Sequence, residues 1–179
     1  MDGMKRLFVA VGLPDELRTK LHSLARELAL EGVKFVEKDN IHLTLKFIGD
    51  VPEEKIPEIK EKLGKIKFKK FTCSVSGVGV FPDPEYIRIV WAGLKCDEMP
   101  KLAAEVETAL EGIGKKENRP FSSHVTIARV KRKIDAKEFL EKHKEDNFGE
   151  FDIPEFVLMQ SELSREGPTY TVLKKFALE

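Results

Sequence analysis

Several things are scarce in this sequence, and each scarcity excludes a class of protein. No apolar run approaches the roughly 18–20 residues that a membrane-spanning helix needs. Lys5 and Arg6 do precede a short apolar stretch, but Pro14-Asp15-Glu16 interrupts it at once, which reads as a strand and a helix start rather than a signal peptide. A cytoplasmic protein with no membrane association is expected. Cysteine is nearly missing: Cys73 and Cys96 are too few for a disulfide framework, form no C-x-x-C, and are expected to be two buried thiols. Neither sign of charge is in excess, with 31 basic and 31 acidic side chains, so a generic polyanion binder is excluded and any basic surface must be local. There is no P-loop and no G-x-G-x-x-G, hence no built-in triphosphate or dinucleotide cradle. His-x-His, His-x-x-x-His and dense carboxylates beside a histidine are all missing, so neither a metal nor any other cofactor is expected. Glutamine occurs once, at Gln160, against many Lys and Glu, a composition that fits the ion-pair-rich surface of a thermophile.

What is present describes a globular chain of 179 residues, 41% hydrophobic and 35% charged, long enough for one domain or two small lobes. Residues 6–11 (R-L-F-V-A-V) form a continuous apolar run, as a buried strand does. A helix opens at Pro14, carries Leu17, Leu21, Leu24 and Leu28 on one face, and stops at Gly32. A short strand over 33–36 and a turn at Asp39-Asn40 lead to a strand over 41–48, ended by Gly49 to Pro52. A second helix carries Ile56, Ile59 and Leu63, and a strand follows over 71–81. The plan then restarts: a strand over 86–94, a helix over 97–112, a polar loop over 114–119 and a strand over 120–130. Asp135 caps a helix bearing Phe139 and Leu140, a strand over 151–163 is edged or broken by Pro154, and a last strand covers 169–178. The expectation is a single α+β domain over 1–179, made of two pseudo-symmetric lobes offset by 82 residues, with antiparallel sheets lining a central cleft and helices outside.

The restart carries a motif. Ile41-His42-Leu43-Thr44-Leu45 returns as Ser123-His124-Val125-Thr126-Ile127. With few Thr and only 4 His in the chain, two such His-x-Thr pairs arise by chance roughly 1% of the time. Side chains alternate along a strand, so each histidine shares a face with its threonine while the apolar residues face the core. A two-fold relation between the lobes would bring both histidine strands to the centre.

Two imidazoles facing one cleft suit in-line displacement at phosphorus. Near neutral pH one can be neutral and act as base while the other is charged and acts as acid. A threonine hydroxyl beside each ring can donate to a phosphoryl oxygen. This scheme uses no metal.

Paired His-x-Thr-x motifs about eighty residues apart in a chain of this length resemble the two-histidine phosphoesterase superfamily. The opening R-L-F-V-A-V, H-L-T-L-K-F-I-G and H-V-T-I-A-R are similar to its RNA 2′,3′-cyclic phosphodiesterase branch, historically called 2′-5′ RNA ligases. The resemblance implies a substrate of RNA 3′ ends carrying a 2′,3′-cyclic phosphate, tRNA fragments among them, opened by water to a 2′-phosphate. It implies His42 as proton donor, His124 as proton acceptor and Arg129 as a phosphate ligand, with 2′-5′ ligation by the same site when a 5′-hydroxyl replaces water. No obligate protein partner is evident. The alternatives are a phosphodiesterase for small cyclic nucleotides or ADP-ribose cyclic phosphate, and a non-catalytic RNA-end binding module.

Strict alternation would point Arg129 away from His124, so a bulge or strand end near Ala128 is required to turn it inward. Lys46 shares parity with His42 and Thr44, which offers it to the cleft as added positive charge or leaves it solvated. Phe47 shares parity with Leu43 and Leu45 and is expected in the core. Phe121 is expected to pack in the core, with base stacking beside the second motif as its alternative. His22 and His143 lack a partnered threonine and are expected at the surface. The lysine-rich segments 65–70 and 131–133 are expected to be solvated faces that can also guide an RNA backbone.

Overall fold

A one-residue link dictates the shape of the sheet. The computed structural model describes residues 3–179. Its strands are β1 (Met4–Gly12), β2 (Val33–Phe35), β3 (His42–Pro52), β4 (Phe71–Asp83), β5 (Tyr86–Lys95), β6 (His124–Val130), β7 (Asn147–Ile153), β8 (Glu155–Ser164) and β9 (Gly167–Ala177). They pair in the order β7-β4-β5-β6-β3-β1-β8-β9, and β2 adds to β6. Only Pro154 separates β7, at one end of this order, from β8, near the other. Two residues of extended chain span at most about 7 Å. The sheet therefore curls until its ends meet. Backbone bonds from Leu178 N to Pro154 O and from Glu179 N to Phe68 O fasten the closure.

The order is symmetric about the β3–β6 junction. One lobe holds β3, β1, β8 and β9, and the other holds β6, β5, β4 and β7. The lobes are not the two halves of the chain. β4 comes from the first half but pairs with β5 and β7, while β8 comes from the second half and pairs with β1. The single strand expected over 151–163 is thus two strands in different lobes, because proline has no N–H to carry a ladder across the break.

Four helices cover the outside: α1 (Asp15–Ala25), α2 (Ile56–Gly64), α3 (Glu98–Ala109) and α4 (Lys137–His143). Leu17, Leu21 and Leu24 bury one face of α1 against β6 and β7, and Met99, Leu102 and Val106 seat α3 against β3. Each such leucine contributes about 1.5–3 kcal/mol. The helix of each half thereby packs on the histidine strand of the other. Among the described residues, no helix is long and apolar enough to cross a membrane.

Two sequence expectations need correction. Cys73 and Cys96 are not free thiols but are joined as a disulfide, their Cα atoms 5.1 Å apart. Ser74 pairs with Lys95, so the antiparallel register brings the next residues outward, Cys73 and Cys96, face to face. His143 is buried rather than superficial; its Nδ1 lies 2.7 Å from Asp146 Oδ2, and its Nε2 is 2.8 Å from Glu27 Oε2 but out of line for a hydrogen bond. His22 is half-buried. The segments 65–70 and 131–133 carry exposed lysines as expected.

In the β4–β5 ladder the indole of Trp91 lies across Gly79, its paired residue, and any Cβ there would fall inside the ring. Gly79→Ala should therefore cost about 1–3 kcal/mol in urea unfolding. An unchanged midpoint would show that the indole does not rest on the glycine.

Candidate active site

The two histidine strands touch at one station only, where Leu43 pairs with Val125. Both residues are fully buried, so the other face of each strand looks into the space between the lobes. Antiparallel register about that station sets His42 near Thr126 and Thr44 near His124. All four side chains line one cleft of about 280 Å³.

Each imidazole is aimed by the same device. Nδ1 of His42 donates to the carbonyl of Asn40 at 2.7 Å, and Nδ1 of His124 donates to the carbonyl of Ser122 at 2.9 Å. A carbonyl can only accept, which places the proton on Nδ1 and turns Nε2 toward the cleft. Nε2 of His42 lies 3.1 Å from Thr44 Oγ1. Aromatic rings hold the imidazoles from behind. Phe8 stacks on His42 with centroids 5.0 Å apart, Tyr170 meets its edge at 5.2 Å, and Phe81 meets His124 edge-on at 5.0 Å.

These surroundings set the proton affinities. Burial pushes His42 below the ordinary 6.5; the Asn40 carbonyl pulls it partly back, and the Arg129 guanidinium pushes it further down. Burial likewise lowers His124, offset in part by the Ser122 carbonyl. Burial raises Tyr170, against a smaller opposing pull from Arg129. Arg129 therefore reaches from the second strand toward the first histidine.

Two matching β-bulges decide what else reaches the cleft. Between β1 and β3 the pairing skips Leu45, and between β5 and β6 it skips Ile127. After each bulge the alternation inverts. Arg129 turns into the cleft, as the expected bulge requires, and among the described residues it makes no ion pair. The first strand inverts as well, and this corrects two expectations. Lys46 is not at the cleft: it is 5% exposed and its Nζ binds Glu107 Oε2 at 2.7 Å and the Lys115 carbonyl at 2.8 Å. Phe47 is not in the core: it is 43% exposed and lines the cleft. Phe121 is half-buried against the hydrophobic core and does not line the cleft.

The same cleft is completed by residues that the sequence did not single out, among them Phe8, Lys34, Asn40, Glu166 and Tyr170. Phe8 was hidden in a continuous apolar run, which conceals which face of a strand is special. Tyr170 is one of only two tyrosines, but nothing near it in sequence marks the site.

This geometry has relatives. A family model described as LigT-like phosphoesterase matches the chain twice, over residues 11–91 and 95–170. The chain belongs to the LigT-like phosphoesterase family, the two-histidine phosphoesterases. It is 41% identical to an RNA 2′,3′-cyclic phosphodiesterase of Archaeoglobus fulgidus, across 96% of this chain and 99% of that one. It is 30% identical to the Escherichia coli protein of the same name, across 99% of each. The crystal structure of E. coli LigT complexed with 3′-AMP superposes with a TM-score of 0.83, covering 98% of both chains at 30% identity. A Thermus thermophilus structure gives 0.82 at 33% identity over 97% of each. The first matched span ends inside β5, at residue 91, and the second begins at its last residue, Lys95, so most of β5 is counted with the first span although it pairs with the second histidine strand.

Because Lys46 serves the packing of β3 on the α3 side, Lys46→Met should leave kcat and KM as they are. It should cost about 1–3 kcal/mol of stability, since the Lys115 carbonyl loses its partner. A large fall in kcat with stability intact would return Lys46 to the site.

Proposed function

We propose that the chain hydrolyses 2′,3′-cyclic phosphate ends of RNA to 2′-phosphates by acid–base catalysis between His42 and His124. The observation that carries this reading is the convergence of two Nε2 atoms, from strands of different lobes, on a cleft that also receives Arg129. The activity named for the curated relatives supports the substrate class.

In this mechanism the cyclic phosphate lies between the rings, with Arg129, Thr44 and Thr126 on its non-bridging oxygens. His124 takes a proton from water as the water oxygen bonds to phosphorus. His42 gives its proton to the departing 3′ oxygen as that bond breaks. The rings end with their protonation exchanged, and solvent restores them. No Lewis acid is needed, because charge on the phosphoryl oxygens is met by the guanidinium and the hydroxyls. When a 5′-hydroxyl of another RNA replaces water, the same steps form a 2′-5′ linkage driven by relief of ring strain, without a nucleotide. Microscopic reversibility lets the site cut such a linkage too.

The proposed mechanism makes His42 the acid, although Arg129 disfavours its protonated form in the empty cleft. A bound phosphate anion opposes that field and favours the proton on His42, against the burial that is the larger cause of its lowered affinity. The acid is therefore armed by the substrate.

An RNA ending in a 2′,3′-cyclic phosphate, incubated with EDTA present, should yield only a 2′-phosphate. Binding without turnover would favour an RNA-end binding module, and turnover confined to free nucleoside cyclic phosphates would favour a small-molecule enzyme. His42→Ala and His124→Ala should each lower kcat by about 10²–10⁴ with substrate binding kept. For the wild type, kcat/KM against pH should be bell-shaped. Each imidazole of the free protein loses its proton below 6.5, so the form with one ring charged and one neutral is most populated on the acid side of that value. A profile that rises without a maximum from pH 5 to 9 would sink the paired mechanism, and so would full activity in either alanine variant.

A further inference from the structure

The two lobes can be compared residue by residue through their ladders. Gly12 pairs with His42 as Gly93 pairs with His124, and Ala10 pairs with Thr44 as Trp91 pairs with Thr126. Ala10 and Trp91 thus occupy the same station beside the two catalytic strands. In the lobe of His124, the indole of Trp91 fills that station, lying over Gly79 with its ring 5.5 Å from that of Phe81. In the lobe of His42 there is only a methyl group, and next to it Val157, the partner of Ala10 on β8.

The space that the indole occupies on one side is open on the other. It forms a groove of about 400 Å³ floored by Ala10, Leu13, Val157, Met159 and Val172. His42 and Tyr170 are shared between this groove and the catalytic cleft, whereas His124 borders the cleft alone. Val172 leaves an apolar side chain 46% exposed on the groove wall. The rim is acidic, with Asp39, Asp152 and Glu155, and its one cation, Arg18, is held by Asp15 and Asp39. An acidic rim over an apolar floor repels a phosphate. It suits a flat, uncharged group with N–H donors on its edge.

We propose that this groove binds the nucleobase of the nucleotide preceding the terminal one, so that the enzyme reads RNA one residue beyond the cyclic phosphate. The inference rests on the phosphodiesterase reading above. The terminal nucleoside and its cyclic phosphate occupy the cleft between the histidines. The chain then passes Tyr170, and the next base lies where an indole lies in the other lobe. The substrate class is an oligoribonucleotide end, not a free nucleoside cyclic phosphate.

The test compares kcat/KM for a mononucleoside 2′,3′-cyclic phosphate and a dinucleotide ending in the same group. Wild type should prefer the dinucleotide by roughly 5- to 100-fold, the range that one bound base supplies. Ala10→Trp should fill the groove as Trp91 fills its counterpart and bring the dinucleotide down to the level of the mononucleotide. Val172→Trp, from a half-exposed position on β9, should do the same if the first variant folds poorly by thermal melting. Mononucleotide turnover should be unchanged in both. Equal kcat/KM for the two substrates in wild type overturns the inference, as does a dinucleotide preference that survives Val172→Trp in folded protein. Should neither substrate turn over, the phosphodiesterase reading fails instead. The groove is then decided by calorimetry with the mono- and dinucleotide 2′-phosphates: tighter dinucleotide binding lost in Val172→Trp supports it, and equal binding overturns it.

Discussion

One backbone station, Leu43 against Val125, governs the geometry of the site. The two strands are joined there and diverge on either side. Because both paired residues are sealed in the core, the neighbouring histidines and threonines have no choice of face. Everything that makes the cleft chemical is built outward from that contact. The carbonyls two residues before each histidine fix the ring orientation, and the aromatic residues behind the rings fix its tilt. The exchange of β4 and β8 between halves, and of the helices packed behind them, locks the two lobes together.

Within this symmetric frame the useful chemistry comes from where symmetry fails. Phe47 and Arg129 sit at the same station after matching bulges, one apolar and one cationic. One cation there suits the single phosphate of the proposed substrate, and a second would repel it. Its field falls on His42, which makes the two imidazoles unequal before any substrate arrives. Ala10 and Trp91 break the symmetry again, leaving one side of the cleft open and the other filled. Two equal halves would bind a two-fold symmetric ligand. A nucleotide end is not symmetric, and the departures lie where it would touch.

The sequence made the cleft face legible and failed at the first bulge. Alternation placed His42, Thr44, His124 and Thr126 on the cleft side because each bulge begins only after the threonine. Beyond them a bulge leaves no local signature, since Leu45-Lys46 and Ile127-Ala128 both satisfy ordinary strand composition. The signal that could have found the first bulge was internal. Arg129 and Phe47 are 82 positions apart, as the histidines are. A bulge that turns Arg129 inward implies, by the repeat, that Phe47 turns inward and Lys46 turns away. Other misses were non-local. Pro154 showed that a strand breaks but not that its two parts join different lobes. The Cys73–Cys96 bond depends on the β4–β5 register, and the burial of His143 depends on Glu27 from a distant segment.

The neutral overall charge fits this arrangement. A protein without a strong field does not collect RNA at large, so discrimination must come from the cleft. The empty cleft disfavours charge on both rings, because burial removes the water that would solvate an imidazolium. An anion placed against Arg129 would shift that balance toward the charged form for the nearer ring. Water alone brings no such compensation, and neither does an uncharged ligand. In the proposed mechanism the acid is thereby favoured by the phosphate it serves, while burial keeps the resting ring neutral.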